Sequence, residues 1–494
     1  MAPVLRRFLF LPAILAASSL QAATYTIEAL PETKQAKVTI VLNPGGSSTQ
    51  FRMPAWAPGD YQILNYGTKI EQLKFRQGRE WVDGVEGDDL NLWTIEGGAS
   101  EVTYVVNESH GNFSPNLRVT DAEMFVSGPG VLGWFAGHAD EKHDLRIKVT
   151  PIGASVACSL DPGGSVAPYQ GYVAEDYDEL IDSPFVVGTT VRVHQFVVEG
   201  KPHAIIGYNQ SAGVNLAAFE DNATKIAIEA KKIFGELPYD RYYYFFDFGG
   251  PGGGLEHLDS TKIGLSPRAS AASALGIMSH EYFHTFNVKR IRSKPLGPFD
   301  YTKPAVTGAI WWLEGVTDYY ADVITTRAGL ESRQDFLRSM TGTFNSLHRG
   351  NAYMRTSADE SSRRVWEARG SQGFGGISYY TKGKAVGFAL DLAIRAESGN
   401  RHSLDDVIRD LYNETKGPSG FEEGRIRELC IKYGGERLGG LYDVCVMQAV
   451  RIPIEGLLSA AGLAMVDGAI VDDPNATQVS SSLAKAYPYQ TMRW

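Results

Sequence analysis

The sequence predicts an α+β chain of at least two domains: an N-terminal antiparallel β-sandwich, then a domain with a small sheet and a large helical lobe. Three observations predict it. Short runs of alternating apolar and polar residues, separated by turn formers, extend from Thr24 to about Val198. After about residue 210 the apolar spacing becomes helical. The length of 494 residues exceeds what one ordinary domain holds.

Taken in order, residues 1–22 read as a secretory signal peptide: Arg6 and Arg7 precede the short apolar run Phe8 to Leu15, and small residues lead to a cut near Ala22 or Ala23. Pro12 and the shortness of that run argue against a membrane anchor. The chain is therefore expected to be exported, periplasmic or secreted. Residues 23–195 form the expected β-sandwich, with strands such as Thr24 to Leu30, Ala36 to Leu42, Val102 to Val106 and Leu145 to Val149. Residues 196–465 form the second domain. Asn222 to Leu237 carries Ile226, Ala230, Ile233 and Phe234 on one helical side, Tyr242 to Phe248 reads as a strand, and helices dominate from Ala269 onward, among them Ala269 to Arg292 and Gly308 to Ala328. Residues 466–494 read as a loosely structured C-terminal tail. Cys158, Cys430 and Cys445 are three in number, so the chain is no disulfide scaffold; Cys430 with Cys445 can bridge, or all three can stay reduced and buried.

Lys plus Arg number 47 against 57 Asp plus Glu, a net charge of −10, which excludes the basic face that a nucleic-acid binder needs. Beyond the leader no stretch is long and apolar enough to cross a bilayer, so stable membrane insertion is not expected.

The chemistry is carried by His280-Glu281-Tyr282-Phe283-His284, an HExxH motif in a small, apolar, helix-forming stretch. Imidazoles four residues apart share a helix face and can reach one Zn²⁺, while the intervening Glu281 lies where it can take a proton from water. Two surface histidines would give the same letters, so further ligands must be found. The stretch Trp311 to Tyr320 supplies Glu314 as third metal ligand, because an acid among aromatic residues needs a partner. Asp318, four residues on, can accept from the free ring N–H of a metal-bound histidine. Upstream, Gly253 and Gly254 let a backbone approach substrate closely, and Glu256 can hold a free peptide ammonium. His257 orients Glu256, contacts substrate, or is an ordinary polar neighbour. Tyr380, with Tyr379 in reserve, can donate to an oxyanion.

Together these residues resemble the glycyl aminopeptidase family of gluzincin metallopeptidases. The likeness is carried by His280 to Arg292, Pro298 to Tyr301, Trp311 to Tyr320, Gly253 to His257, Ser378 to Gly383, and Met53 to Tyr61 in the β region. The resemblance implies a thermolysin-like catalytic domain and one Zn²⁺ per chain on His280, His284 and Glu314. It implies Glu281 as base, Glu256 as amine-binding acid and Tyr380 as oxyanion donor, and a preference for N-terminal Gly and Ala. Phe286 and Ser293 stand where that family usually has Trp and Pro. The family usually continues into a PDZ domain after a segment like Ala460 to Leu463; the residues that follow here are expected to be too few for one.

The expected activity is removal of small residues from a peptide substrate with a free N-terminus. The rivals are an endopeptidase on the same scaffold and a non-catalytic exported binding protein.

Overall fold

The computed structural model describes residues 23–489 apart from 151, 153–154, 369–372 and 418. The expected signal peptide lies outside the described residues.

The first half is built from strands whose residues alternate between core and surface, as in Ala23–Leu30, where every second side chain is buried. An eight-stranded sheet faces a five-stranded and a four-stranded sheet across one core, in which Ile27, Val38, Ile40, Val102, Leu117 and Val126 are fully buried. Among the described residues of this half the pairing is antiparallel except at one place: Ala23–Leu30 runs parallel to His143–Lys148. Alternation shows that a strand has one buried face, not which way its neighbour runs, so this pair is invisible to the sequence pattern.

The second half is organised by a mixed five-stranded sheet. Its strands are β1 (Arg192–Val198), β2 (Lys201–Asn209), β3 (Tyr242–Phe248), β4 (Gly253–Glu256) and β5 (Ser260–Leu265), in the order β1-β2-β3-β5-β4. The first of these was expected in the sandwich, yet it forms a hairpin with β2 in the second sheet. β3 is buried on both faces, which accounts for its unbroken aromatic run. β4 pairs only with β5 and leaves its other edge open.

Helices pack on this sheet. α1 (Glu220–Phe234) ends at Gly235 in the left-handed conformation, and its buried side presents Ile226, Ala230, Ile233 and Phe234. α2 (Ala271–Phe283) starts at a capping box of Ser270 and Ser273. It was expected to run on to Arg292. Instead it stops, and residues 284–291 fold back through Val288 at φ 146°. The stretch expected as one helix from Gly308 begins with a π-helical segment, Trp311–Val316, and continues as α3 (Thr317–Arg327). α4 (Tyr379–Ser398) is the buried spine of the lobe.

The expected loose tail is ordered through its described part. Leu463–Val466 and Ala469–Asp472 form a hairpin, and Gln478–Ala486 is helical. Tyr487, 1% exposed, lies among Phe336, Phe388 and Tyr319 and shares a hydrogen bond with the Tyr319 hydroxyl. One aromatic anchor between polar residues leaves no periodicity to read. All three cysteines are reduced and buried, so Cys430 and Cys445 are not bridged; burial pushes both thiols up to about 12. No helix among the described residues is long and apolar enough to cross a membrane.

The two halves are pinned by buried charge. Arg118, on a sandwich strand, gives Nη1 to both oxygens of Asp247 on β3 at 3.0 and 2.8 Å and Nη2 to Glu123 at 2.8 Å. Asp247 is wholly buried. Replacing Arg118 with Met removes the guanidinium from that carboxylate and leaves it Asn209 Nδ2 at 2.9 Å and Lys262 Nζ 3.9 Å away. We expect Arg118→Met to lower unfolding free energy by about 3–5 kcal/mol, read from urea denaturation. An unchanged midpoint would show that the guanidinium does not hold the halves together.

Candidate active site

The end of α2 places His280 and Glu281 in its last turn and His284 at its C-cap. Ser279 Oγ donates to Ala321 O at 3.1 Å, which fixes α2 against α3. The outer nitrogen of each imidazole faces an acceptor. His284 Nδ1 lies 2.6 Å from Asn287 O, and His280 Nδ1 lies 2.8 Å from Asp318 Oδ1, the latter an ion-pair contact with off-line geometry. Backbone carbonyls and ionised carboxylates only accept, so both Nδ1 atoms carry hydrogen. In the neutral rings both Nε2 atoms then present lone pairs, and they face each other at 3.0 Å. Glu314 Oε2 completes the group, 3.3 Å from His284 Nε2 and 3.8 Å from His280 Nε2.

Three converging lone pairs require a cation. The three separations bracket the ~3.3 Å edge of a tetrahedron with bonds of about 2.0–2.1 Å, the geometry of zinc with nitrogen and oxygen ligands. Electrostatics agree in sign for the metal-free protein. Burial alone would depress His284, yet Glu314, Glu256 and Glu281 raise it to about 10. Glu314 is held below the ordinary carboxylate range by the two histidines, against its burial. The residues present therefore fit a zinc ion.

The π-helical segment aims Glu314. Gly315 sits so close to α4 that a Cβ there would lie 2.4 Å from Gly383 Cα. Asn287 Nδ2 donates to Trp312 O at 2.9 Å and meets Thr317 Oγ1 at 3.0 Å, tying the chain after α2 to this segment.

Glu281 is buried, and its Oε2 has no protein partner. Burial is the main cause that raises its pKa, to about 7, with the two histidines opposing. A Cβ on Gly254 would sit 2.3 Å from this carboxylate, so glycine is required there. Glu256 is 5% exposed and makes no side-chain hydrogen bond or ion pair with a described residue. One ligand atom from each of Glu256, Glu281 and His284 falls within a 4.8 Å cluster. Gly253 adopts φ 111° and faces Phe113. Tyr380 packs its ring, tilted, 6.0 Å from that of His280 and 4.6 Å from that of Tyr379. His257 does not join the group. Its Nδ1 lies 3.2 Å from Asp182 of the first half, whose carboxylate also takes Leu258 N and Lys289 Nζ, so His257 belongs to the tether between halves.

Sequence reasoning missed what the first half brings. Tyr61, at φ 42°, donates its phenol to Glu314 Oε1 at 3.0 Å. Gly59 abuts Glu256, where a Cβ would lie 2.8 Å from both carboxylate oxygens. Asp60 takes Asn112 N at 3.1 Å, and burial raises its pKa to about 6. Met53 to Tyr61 was noted as a motif; its turn residues gave no sign that they reach a helix 250 residues away.

Family comparison completes the picture. The model of the M61 glycyl aminopeptidase family matches residues 273–386, and that of the peptidase M61 N-terminal domain matches residues 24–189, together more than half the chain. The chain belongs to the M61 glycyl aminopeptidase family. It is thus a peptidase, an enzyme that hydrolyses peptide bonds. Its fold is similar to that of an aminopeptidase N family protein from Idiomarina loihiensis, with TM-score 0.81 and 22% identity over 90% of this chain and 78% of that one. It is also similar to an M1 zinc metallopeptidase from Deinococcus radiodurans bound to a Tyr-Ser-Ala substrate, with TM-score 0.57 and 11% identity over 88% and 95% of the two chains. Native yeast LTA4 hydrolase gives TM-score 0.54 and 11% identity over 88% and 68%. No curated protein sequence matches significantly.

The Tyr61 contact leads to a prediction. Tyr61→Phe removes the donor that orients Glu314 and should weaken zinc binding about 10–100-fold, measured by competition with a chromogenic chelator. Unchanged affinity in a folded variant would assign the phenol to packing alone.

Proposed function

We propose that this enzyme removes a single small residue, Gly or Ala, from the free N-terminus of a peptide, using one zinc ion per chain held by His280, His284 and Glu314. The observation that carries this reading is the place of Glu256. Its unpaired carboxylate lies in one cluster with Glu281 and His284, a distance that spans one aminoacyl unit from ammonium to scissile carbonyl. Gly59 abuts that carboxylate, and Tyr61 lines the same recess. A longer chain running past Glu256 would meet that wall, which favours the exopeptidase over the endopeptidase.

When bound, zinc supplies Lewis acidity and lowers the pKa of a water molecule towards about 7. Glu281 takes a proton from the attacking water and passes it to the departing amine. Its Oε2, which hydrogen-bonds to no described residue, is placed for both transfers. Tyr380, with Tyr379 packed behind it, donates to the carbonyl oxygen as that atom gains negative charge. Glu256 pairs with the substrate ammonium and fixes the count at one residue. Asp318 and Asn287 hold the histidine tautomers. The open edge of β4 offers backbone groups to an extended peptide. Export remains part of the proposal and rests on the basic and apolar character of residues 1–22.

Three outcomes test this. Gly- and Ala-p-nitroanilide should be cleaved, their N-acetylated forms should not, and a zinc chelator should stop turnover; equal cleavage of blocked substrates would remove Glu256 from the role of amine anchor. Glu281→Gln should lower kcat by about 10²–10⁴-fold while metal analysis still finds one zinc per chain. Glu256→Gln should chiefly raise KM for the free-amine substrates.

A further inference from the structure

We infer that Phe113, reaching over from the first half of the chain, is the residue that limits the substrate's first side chain to the size of a methyl. The inference rests on the proposed aminopeptidase reading and names the wall that the reading requires.

With the ammonium on Glu256 and the scissile carbonyl between Glu281 and Tyr380, the substrate Cα lies beside Gly253 and Gly254. On the side of α2 there is no space, because even a methyl on Gly254 would collide with the Glu281 carboxylate. The substrate Cβ must therefore point to the opposite face. There Phe113 covers the strand: a Cβ on Gly253 would meet Phe113 Cδ1 at 3.1 Å. On its other side the ring borders a recess of about 10 Å³ shared with Asp60, Tyr61, Val365, Ala368 and Tyr379, whose lining includes no residue of β4. That volume holds about one water-sized group. The limit on this face is therefore the Phe113 ring over Gly253, which a hydrogen or a methyl clears more readily than a leucine side chain.

The main chain that carries this ring is braced. Asn112 N donates to the Asp60 carboxylate, Lys262 Nζ donates to Phe113 O at 3.3 Å, and Gly111 N closes the turn onto Ser114 O at 2.8 Å. Lys262 is fully buried on β5, beside β4. The loop is thus referenced to the same sheet edge that carries Glu256. Phe113 itself is half-buried and outside the main cores, so its truncation need not unfold the protein.

The test compares Gly-, Ala- and Leu-p-nitroanilide on wild type, Phe113→Leu and Phe113→Ala, each first shown to melt at the wild-type temperature. Expected is a wild type that strongly prefers Gly and Ala, and a Leu-to-Gly ratio of kcat/KM that rises at least ~10-fold in Phe113→Ala and by less in Phe113→Leu. A ratio unchanged within ~2-fold, in an enzyme whose wild type does prefer small residues, overturns the role of Phe113 and leaves the aminopeptidase reading standing. Equal loss on all three substrates in folded variants also overturns it, since that marks a structural side chain. A wild type that already cuts Leu as readily as Gly sinks the small-residue preference and this inference together. Competitive inhibition by glycinamide and leucinamide, which reads binding without turnover, should shift in the same direction.

Discussion

Two imidazole rings whose outer nitrogens are held as donors decide how the catalytic half is built. Once Asn287 O and Asp318 take the Nδ1 hydrogens, the Nε2 lone pairs must converge on Glu314, and only a cation relieves them. That arrangement has structural requirements. α2 has to stop at Phe283 so that the chain can return Asn287 beneath His284, which forces Val288 to φ 146°. The amide of Asn287 then stitches to Trp312 O, within the π-helical segment that sets the direction of Glu314. π turns recur at functional sites because an extra residue per turn re-aims one side chain without ending the helix. The departures from a regular helix in this region all serve the same three atoms.

The first half of the chain is a wall of the cleft and not an appendage. Tyr61 touches the third donor, Gly59 backs the free carboxylate, and the loop at Phe113 overhangs the sheet edge. Arg118 with Asp247, and Asp182 with His257 and Lys289, set the registration between halves through buried charge. Such pairs contribute modestly to net stability, but they penalise any slippage that leaves a partner unpaired. A cleft whose two sides come from separate sheets needs that kind of constraint.

Much of this was legible in the residues. Period-2 runs followed by helical spacing announced a β half and a helical lobe, and HExxH with Glu314 and Asp318 announced the donor set, because each residue's chemistry is expressed on its own helix. What escaped has a common physical origin. Tyr61, Gly59 and Phe113 each touch residues more than a hundred positions further along the chain, and nothing local in a turn records what it will touch. The strand Arg192–Val198 shows the same alternation whichever sheet it joins, and Tyr487 is a lone aromatic with no periodic company. His257 was read beside Glu256 for its proximity in sequence, whereas in the structure it turns to Asp182. The break of α2 after Phe283 is announced by no Gly or Pro among residues 284–291, and it follows instead from the contact of His284 with Asn287 O.

The contact between Gly315 and Gly383 has a mechanical consequence. With no side chain on either residue, the helix bearing Glu314 and the helix bearing Tyr380 meet backbone to backbone. The spacing of acid and phenol is therefore set by the thickness of two main chains, which does not fluctuate as rotamers do. It acts as a gauge block: thermal motion can carry both helices together, but it cannot easily change the gap between them.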